Sequence, residues 1–172
     1  MLGEIGKLVR GKRLVKSELN DSGSFAVYQN SMTPLGYYHK SNVQADTFFV
    51  ISAGSAGSIG YSNVKFWAAD DVYYFKSIEG LKTKYLYYYL LTQQTRLLGQ
   101  VRRASVPRLS KSVLEKIAIP IIPFEEQERI VAILDKFDTL TRSITDGLPK
   151  EIELRKKQYE YYRDRLLSFP KS

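Results

Sequence analysis

Two prolines divide this chain into segments of different pattern. Pro120 and Pro123 lie in the apolar segment IAIPIIP, residues 117–123, where neither can occupy the interior of a helix. Before this segment, β-branched and aromatic runs separated by turn residues predict strands. After it, apolar residues recur at helical spacing. The sequence therefore predicts an α/β (α+β) domain, residues 1–122, and a long, coiled-coil-like helical stalk, residues 123–172.

The first part alternates strand signals with turn signals. Residues 25–28, FAVY, and 47–52, TFFVIS, have the β-branched and aromatic composition of strands, and a second β-rich stretch covers residues 61–75. Residues 29–46 are predicted to be mostly loop. The leucines and tyrosines of residues 82–98 predict one helix, and Ser110 is a candidate N-cap for a short helix ending near Lys116.

In the second part, apolar residues follow alternating steps of three and four. This spacing is typical of a seam at which helices pair, and two such seams in a thin tail require a partner surface. The alternative is that these helices fold back on the first part of the chain. Residues 146–149, DGLP, interrupt the pattern between the seams. The predicted dimer or partner interface consists of Ile130, Ile133, Phe137, Leu140 and Ile144, followed by Ile152, Tyr159, Tyr162 and Leu166.

All of the excess positive charge lies in the first part. Residues 1–122 contain 16 Lys and Arg against 8 Asp and Glu, whereas residues 123–172 contain 10 of each, so the net charge of +8 belongs to the predicted domain. A basic, aromatic-rich domain is typical of a polyanion binder, and a neutral helical tail is typical of an assembly region. Composition alone leaves a generic basic protein as an alternative.

The motifs of common enzymes are missing from the sequence. It contains no cysteine, and His39 is its single histidine, so a two-histidine metal site is excluded. The glycine run at residues 54–60 has the spacing GxxGxxG and is followed by strand-like sequence, which favours a connection between strands over a cofactor loop. Asp70 and Asp71 are interpreted as a turn. We therefore predict no catalytic, cofactor-binding or metal-binding residues.

Basic residues cluster in two segments of the first part. One surrounds residues 7–16 and the other is the proline-containing loop at residues 102–111. Arginine and lysine suit phosphate oxygens and guanine edges, and the mixed polar loop around residues 30–44 suits base edges, while a solvated surface remains the alternative for each single residue. The predicted DNA-binding residues are Arg10, Lys12, Arg13, Tyr38, His39, Lys40, Ser55, Arg102, Arg103 and Arg108.

Several segments resemble a known family. Residues 117–140, IAIPIIPFEEQERIVAILDKFDTL, and residues 147–169, GLPKEIELRKKQYEYYRDRLLSF, resemble the spacer region of specificity subunits from bacterial type I restriction–modification systems. The opening LGEIGKLVRGKR and the stretch VPRLSKSVLEKIAIPIIP resemble the two ends of a target recognition domain in that family. The resemblance implies a target recognition domain with a mixed or antiparallel sheet, followed by one spacer region.

The resemblance also implies a function. Such subunits bind double-stranded DNA in the cytoplasm, catalyse nothing, and dock modification subunits, which hold S-adenosylmethionine, and through them restriction subunits. They usually carry two recognition domains, so this chain resembles half a subunit that pairs with a second copy through residues 124–169 and reads two inverted half-sites. The alternatives are a small S-adenosylmethionine-dependent methyltransferase and a decoy that binds modification subunits without reading DNA. No membrane association is expected.

Overall fold

The chain folds into two units, and the boundary between them lies in the proline segment of the sequence. The structure, a computed structural model, describes residues 1–20, 22–77, 80–143 and 149–169. The units are Met1–Ile119 and Pro120–Ser172. The sequence-based boundary between residues 122 and 123 lies in the same proline segment and stays a prediction about domains.

Two sheets form the first unit within the described ranges. The four-stranded sheet has the order β1–β7–β4–β5, and every neighbouring pair in it is antiparallel. The three-stranded sheet has the order β3–β2–β6 and is mixed, because β2 pairs with β3 antiparallel and with β6 parallel. An α+β fold with antiparallel and mixed sheets is thus confirmed. The strands are β1 (Gly6–Arg10), β2 (Phe25–Tyr28), β3 (Gly36–Tyr38), β4 (Thr47–Ile51), β5 (Ile59–Ser62), β6 (Trp67–Ala68) and β7 (Val72–Ser77).

Aromatic residues fill the space between the two sheets. Phe49 of β4 is 1% exposed and lies 4.7 Å from the Tyr28 ring and 5.0 Å from the Phe66 ring, centroid to centroid. Tyr28 and Phe66 are 5.5 Å apart in an edge-to-face arrangement. Burial raises the pKa of the Tyr28 hydroxyl above its ordinary value, and the nearby Tyr37 raises it further. The cluster fixes the sheets against each other, and with them the loops at the ends of their strands.

Replacing Phe49 with alanine should lower the free energy of unfolding by about 3–5 kcal/mol, because the deletion leaves a cavity among three packed rings. Chemical denaturation followed by circular dichroism would measure the change. The matched control is Tyr37→Ala on β3, since that side chain is 45% exposed and its removal opens no cavity. Equal losses in the two variants would contradict the assignment of the core.

Three short α-helices and two 3-10 helices (Leu2–Glu4 and Lys16–Glu18) complete the described part of the first unit. The helix predicted for residues 82–98 is divided into α1 (Thr83–Thr92) and α2 (Gln94–Gly99), because Gln93 takes φ −92° and ψ 0° and ends the regular turns. Helix α3 (Lys111–Glu115) begins after Ser110, as expected, although the Ser110 hydroxyl contacts Ser112 and not the helix backbone. Strand β3 lies in the segment predicted to be mostly loop.

The second unit contains two helices that contact each other. Helix α4 (Phe124–Ser143) and helix α5 (Pro149–Leu166) are joined by residues 144–148, and the rings of Phe137 and Tyr162 stack at 5.3 Å between centroids. Two residues predicted for an interface between copies therefore contact each other within one chain. Part of each apolar seam is satisfied without a partner.

The buried face of α4 differs from the predicted seam. Ile130 is buried as expected, but Val131 and Leu134, which the seam omits, are also buried, whereas Leu140 is 48% exposed. The remaining predicted interface residues of the described side chains are half-buried: Ile133, Phe137, Tyr159, Tyr162 and Leu166. Ile144 and the DGLP break up to residue 148 lie outside the described residues, as does the side chain of Ile152.

Candidate nucleic-acid interface

The loops that carry most of the predicted DNA-binding residues meet at one end of the four-stranded sheet. Strand β1 ends there at Arg10 and β4 ends at Ile51, while β7 begins at Val72 and β5 begins at Ile59. The strand register confirms that these four strand ends lie together. Arg10 lies opposite Tyr73 of β7, Ile51 lies opposite Val72 of β7, and Val50 lies opposite Ile59 of β5. We call this end of the sheet the loop edge.

The basic loop of residues 102–108 is closed on itself and attached to β4. Arg102 and Arg108 form an antiparallel bridge in which the Arg102 N–H donates to the Arg108 carbonyl (2.8 Å) and the Arg108 N–H donates to the Arg102 carbonyl (3.1 Å). Arg108 also bridges to Ala53, and the Leu109 N–H donates to the Ser52 carbonyl (2.8 Å). These hydrogen bonds use only main-chain atoms. The exposed side chains of Arg102, Arg103 and Arg108 therefore stay available to a ligand.

The first basic cluster is attached to the same edge through a turn. Arg10 Nε donates to the Asp70 carbonyl (2.6 Å), and the Lys12 N–H donates to the Ala68 carbonyl (2.9 Å). Between them, a Cβ at Gly11 would lie 2.1 Å from the Ala69 carbonyl oxygen, so only glycine allows the two segments to approach this closely. Arg10, Lys12 and the neighbouring Arg13 all have exposed side chains.

One residue pair links the two basic clusters. Ser52 lies directly after β4, and its carbonyl accepts a hydrogen bond from the N–H of Leu109, the residue that follows the basic loop. Ser52 also donates hydrogen bonds from its N–H (2.7 Å) and its hydroxyl (2.9 Å) to the Asp71 carbonyl. Asp71 follows Asp70, whose carbonyl holds Arg10. The two clusters, which are far apart in the chain, therefore belong to one continuous hydrogen-bonded edge. Asp70 and Asp71 lie in the turn before β7, as predicted, and they make these bonds through main-chain carbonyls.

The glycine run connects β4 directly to β5. Gly54 and Gly57 have φ values of +81° and +91°, which favour glycine, and Gly60 already belongs to β5. No helix N-terminus follows, so the geometry offers no support for a cofactor loop and confirms the interpretation as a connection between strands. Ser55, at the exposed tip of the connection, donates its N–H to the Asn30 carbonyl (2.9 Å).

The remaining predicted residues lie at the other end of the second sheet. Tyr38 ends β3 opposite Phe25, about 10 Å along β2 from the end near Asn30. Tyr38 is only 8% exposed and its ring contacts Trp67 edge to face, so it has little surface to offer DNA, and its DNA-binding role stays a prediction. The exposed imidazole of His39 packs 4.2 Å from the Tyr38 ring, and Lys40 follows, also exposed.

The segment of residues 10–14 connects the region around Tyr38 to the loop edge. The Trp67 indole Nε1–H donates to the Lys12 carbonyl (3.0 Å), and Leu14 packs in one cluster with Val27 and Tyr38. The segment from Arg10 to Leu14 therefore runs from the loop edge toward Tyr38. It carries Lys12 and Arg13 between the arginines and the His39–Lys40 pair.

The described ranges contain no group of three or more His, Cys, Asp or Glu side chains able to hold a metal ion. In the same ranges, no helix is long and apolar enough to cross a membrane. The joining roles of Ser52 and Asp71 were missed by sequence reasoning. Asn30 was recognised only as one polar residue of a long loop, because nothing in its sequence neighbourhood points to Ser55.

The fold and the loop edge define a recognition domain with an attached helical region, and comparison with known proteins gives the family. The family model for the type I restriction modification DNA specificity domain matches residues 1–154. The chain therefore belongs to this family, as its sequence resemblance indicated. Because the family is one of DNA specificity domains, the interpretation of the chain as a recognition protein and not an enzyme is confirmed.

Several curated relatives are specificity subunits. The chain is 50% identical over 54% of its length to a type I restriction enzyme specificity subunit of Escherichia coli, of which it covers 24%. It is 33% identical over 98% of its length to a putative specificity subunit of Haemophilus influenzae, of which it covers 47%. The chain is also 32% identical over 96% of its length to a putative specificity subunit of Mycoplasma pneumoniae, of which it covers 71%. The chain thus spans less than half the length of the first two relatives.

Solved structures show the same fold. The S subunit of a type I restriction–modification system from M. genitalium superposes with a TM-score of 0.74 at 22% identity, covering 84% of this chain and 40% of that one. The HsdS subunit from Thermoanaerobacter tengcongensis gives a TM-score of 0.65 at 20% identity, covering 96% of this chain and 43% of that one.

Proposed function

We propose that this chain is a DNA-reading specificity subunit of a type I restriction–modification complex. The observation that carries the proposal is the continuous loop edge, on which two separate basic clusters are held by main-chain bonds and by the Arg10 Nε–H bond to the Asp70 carbonyl, while their cationic side chains stay exposed. Phosphate contacts from Arg10, Lys12, Arg102, Arg103 and Arg108 would seat the first unit on double-stranded DNA in the cytoplasm. Neighbouring loop side chains would read a short half-site.

The bond-making chemistry belongs to partners in this proposal. Modification subunits dock on the helical second unit, bind S-adenosylmethionine and methylate adenine, and restriction subunits join through them. Support comes from the family and from exposed large hydrophobic side chains on both helices, Phe124 (42% exposed) and Tyr161 (58% exposed). This chain itself binds no cofactor and no metal.

We further propose that two copies assemble through their second units as a coiled-coil-like stalk. The chain covers about half of several relatives, so two copies supply the length and the two recognition units that one longer subunit would hold. Two-fold symmetry then requires an inverted repeat of one half-site, with unspecified base pairs between the halves.

Mapping adenine methylation in cells tests the function. Cells that carry this gene together with its modification subunit should methylate adenine within a palindromic, gapped motif, and cells that carry either gene alone should not. Single-molecule sequencing of the genomic DNA would show the motif. A motif with this gene alone would favour the methyltransferase alternative. No motif, together with weaker modification by a longer specificity subunit, would favour the decoy.

A further inference from the structure

Four chain segments lie side by side in a row at the loop edge. The Ser55 N–H donates to the Asn30 carbonyl (2.9 Å), the Gly54 N–H donates to the Pro107 carbonyl (3.2 Å), and Arg108, next to Pro107, is bridged to Arg102. Segments bonded in this way are about 4.8 Å apart, so the row from residue 30 to residue 102 is about 14 Å wide. The major groove of B-DNA is about 12 Å wide. The row, measured between its outer backbones, is therefore slightly wider than the groove, so one end of it can enter the groove while the other end faces the phosphates beside it.

The backbone of Asn30 is held tightly at one end of this row. Its carbonyl accepts from Ser55, and Gly54 lies directly against it: a Cβ at Gly54 would be 2.6 Å from the Asn30 carbonyl oxygen and 2.9 Å from the Asn30 Cβ. The left-handed φ of Gly54, +81°, is a second reason for glycine at this position. The position of residue 30 is thus fixed before any ligand binds.

The side-chain amide of Asn30, in contrast, is unused. Asn42 donates its Nδ2–H to the Ala68 carbonyl (2.8 Å) and accepts from the Ala68 N–H (2.7 Å), so its amide is fully engaged in the fold. Asn20 accepts two hydrogen bonds from Ser22. No described residue bonds to the Asn30 amide, which is exposed. A rigid backbone that presents an unengaged amide is what recognition of a ligand by hydrogen bonds requires.

The chemistry of the amide identifies its target. A primary amide carries a donor and an acceptor side by side, and this pair complements the N7 acceptor and N6 donor of adenine in the major groove. The guanidinium groups of Arg102 and Arg108, at the other end of the row, complement guanine or phosphate. We propose that Asn30 reads one adenine of the half-site, in a major groove that the arginines at the other end of the row hold in register. This inference rests on the proposed DNA-reading function.

Methylation mapping of the assembled complex with Asn30→Ala tests the inference. The variant should still direct methylation to a gapped motif, but one A·T position in each half-site should become degenerate, with discrimination reduced roughly 5- to 150-fold, the range of one bidentate contact. The matched control is Asn63→Ala, an exposed asparagine just after β5, at the opposite end of the sheet from the loop edge. That variant should keep the parental motif.

A second variant tests the geometry without removing the amide. Gly54→Ala places a methyl group against Asn30 and should produce degeneracy at the same position, and a thermal melt would show whether the first unit stays folded. If Gly54→Ala does not fold, Asn30→Ala alone decides. An unchanged motif in Asn30→Ala, with the parental chain directing methylation normally, would overturn the adenine assignment and leave the DNA-reading function standing. The absence of any motif with the parental chain would instead refute that function.

Discussion

Replacing Arg102 and Arg103 with alanine should weaken binding of the assembled complex to DNA and make it less sensitive to salt. Each phosphate contact contributes about 0.9 to the slope of log K against log salt concentration, so the loss of two contacts should reduce that slope by roughly two per copy. The affinity should fall by a similar factor on specific and nonspecific DNA, because phosphate contacts carry no sequence information. Fluorescence anisotropy titrations at several salt concentrations would measure both effects.

The alanine variant should keep the loop intact. Arg102 is joined to Arg108 only through its main-chain N–H and carbonyl, which alanine also provides. A loss of affinity therefore reports the guanidinium groups and not a collapsed loop. Circular dichroism of the variant would verify that the first unit is folded.

A control is needed for the change in net charge. Lys65 and Lys76 are both exposed and lie near the ends of β5 and β7 that are opposite the loop edge. Lys65→Ala with Lys76→Ala removes the same two charges from the same unit, away from both basic clusters, and should change the affinity much less. An equal loss in both double variants would indicate general electrostatic attraction. Unchanged affinity and salt slope in the arginine variant would contradict the interface itself.

Local sequence signals predict which segments form strands and helices better than they predict which of these elements lie next to each other. Strands β2 and β4 are recognisable because most of their residues are β-branched or aromatic, and Pro120 and Pro123 mark the segment of the sequence in which the boundary between the units lies. The three residues of β3 are too few to show a period of two. Gln93 carries no helix-breaking signal, and the interruption there depends on the conformation of one residue.

The interface shows why a site is harder to predict than a strand. The two basic clusters and the glycine run are visible in the sequence as single features. Their meeting depends on main-chain bonds, such as those of Ser52 with Asp71 and Leu109, which any residue type can make. The residue types therefore show which side chains are charged, but they do not show that the two basic clusters lie at the same edge of the sheet. Tyr38 illustrates a second limit, because a tyrosine in a polar loop has the same sequence signature whether its ring is exposed or buried.

Helix α4 shows a similar limit for helical seams. A spacing of three and four selects a narrow stripe through Ile130, Ile133 and Phe137, whereas a helix packed in a globular setting buries a face at least 100° wide. The buried Val131 and Leu134 lie on that wider face. The sequence shows that α4 is amphipathic, but the stripe that a partner covers depends on contacts with α5. The exposed Leu140 and Leu154 are therefore better positions at which to test pairing of two copies than Phe137, which already stacks on Tyr162 within one chain.

Replacing Leu140 and Leu154 with aspartate should convert a dimer of this chain into a monomer. Both leucines are about half exposed or more and flank the connection between α4 and α5, so neither substitution removes a core contact. Burial of the exposed half of one leucine contributes about 0.8–1.5 kcal/mol, and in a two-fold dimer two substitutions remove four side chains, or about 3–6 kcal/mol. A micromolar dimer is held by about 8 kcal/mol. Light scattering at tens of micromolar would detect the monomer.

The charge itself must be separated from the loss of apolar surface. Thr139 and Gln158 are exposed, neutral residues of the same two helices, so Thr139→Asp with Gln158→Asp introduces the same two charges without removing a leucine. That control should remain dimeric, because surface charge alone shifts association weakly at physiological salt. If the parental chain is already monomeric at tens of micromolar, or if the leucine variant stays dimeric, the helices do not pair two copies. The exposed leucines would then be assigned to the modification subunit, and a chain that binds it singly should direct methylation to an asymmetric motif.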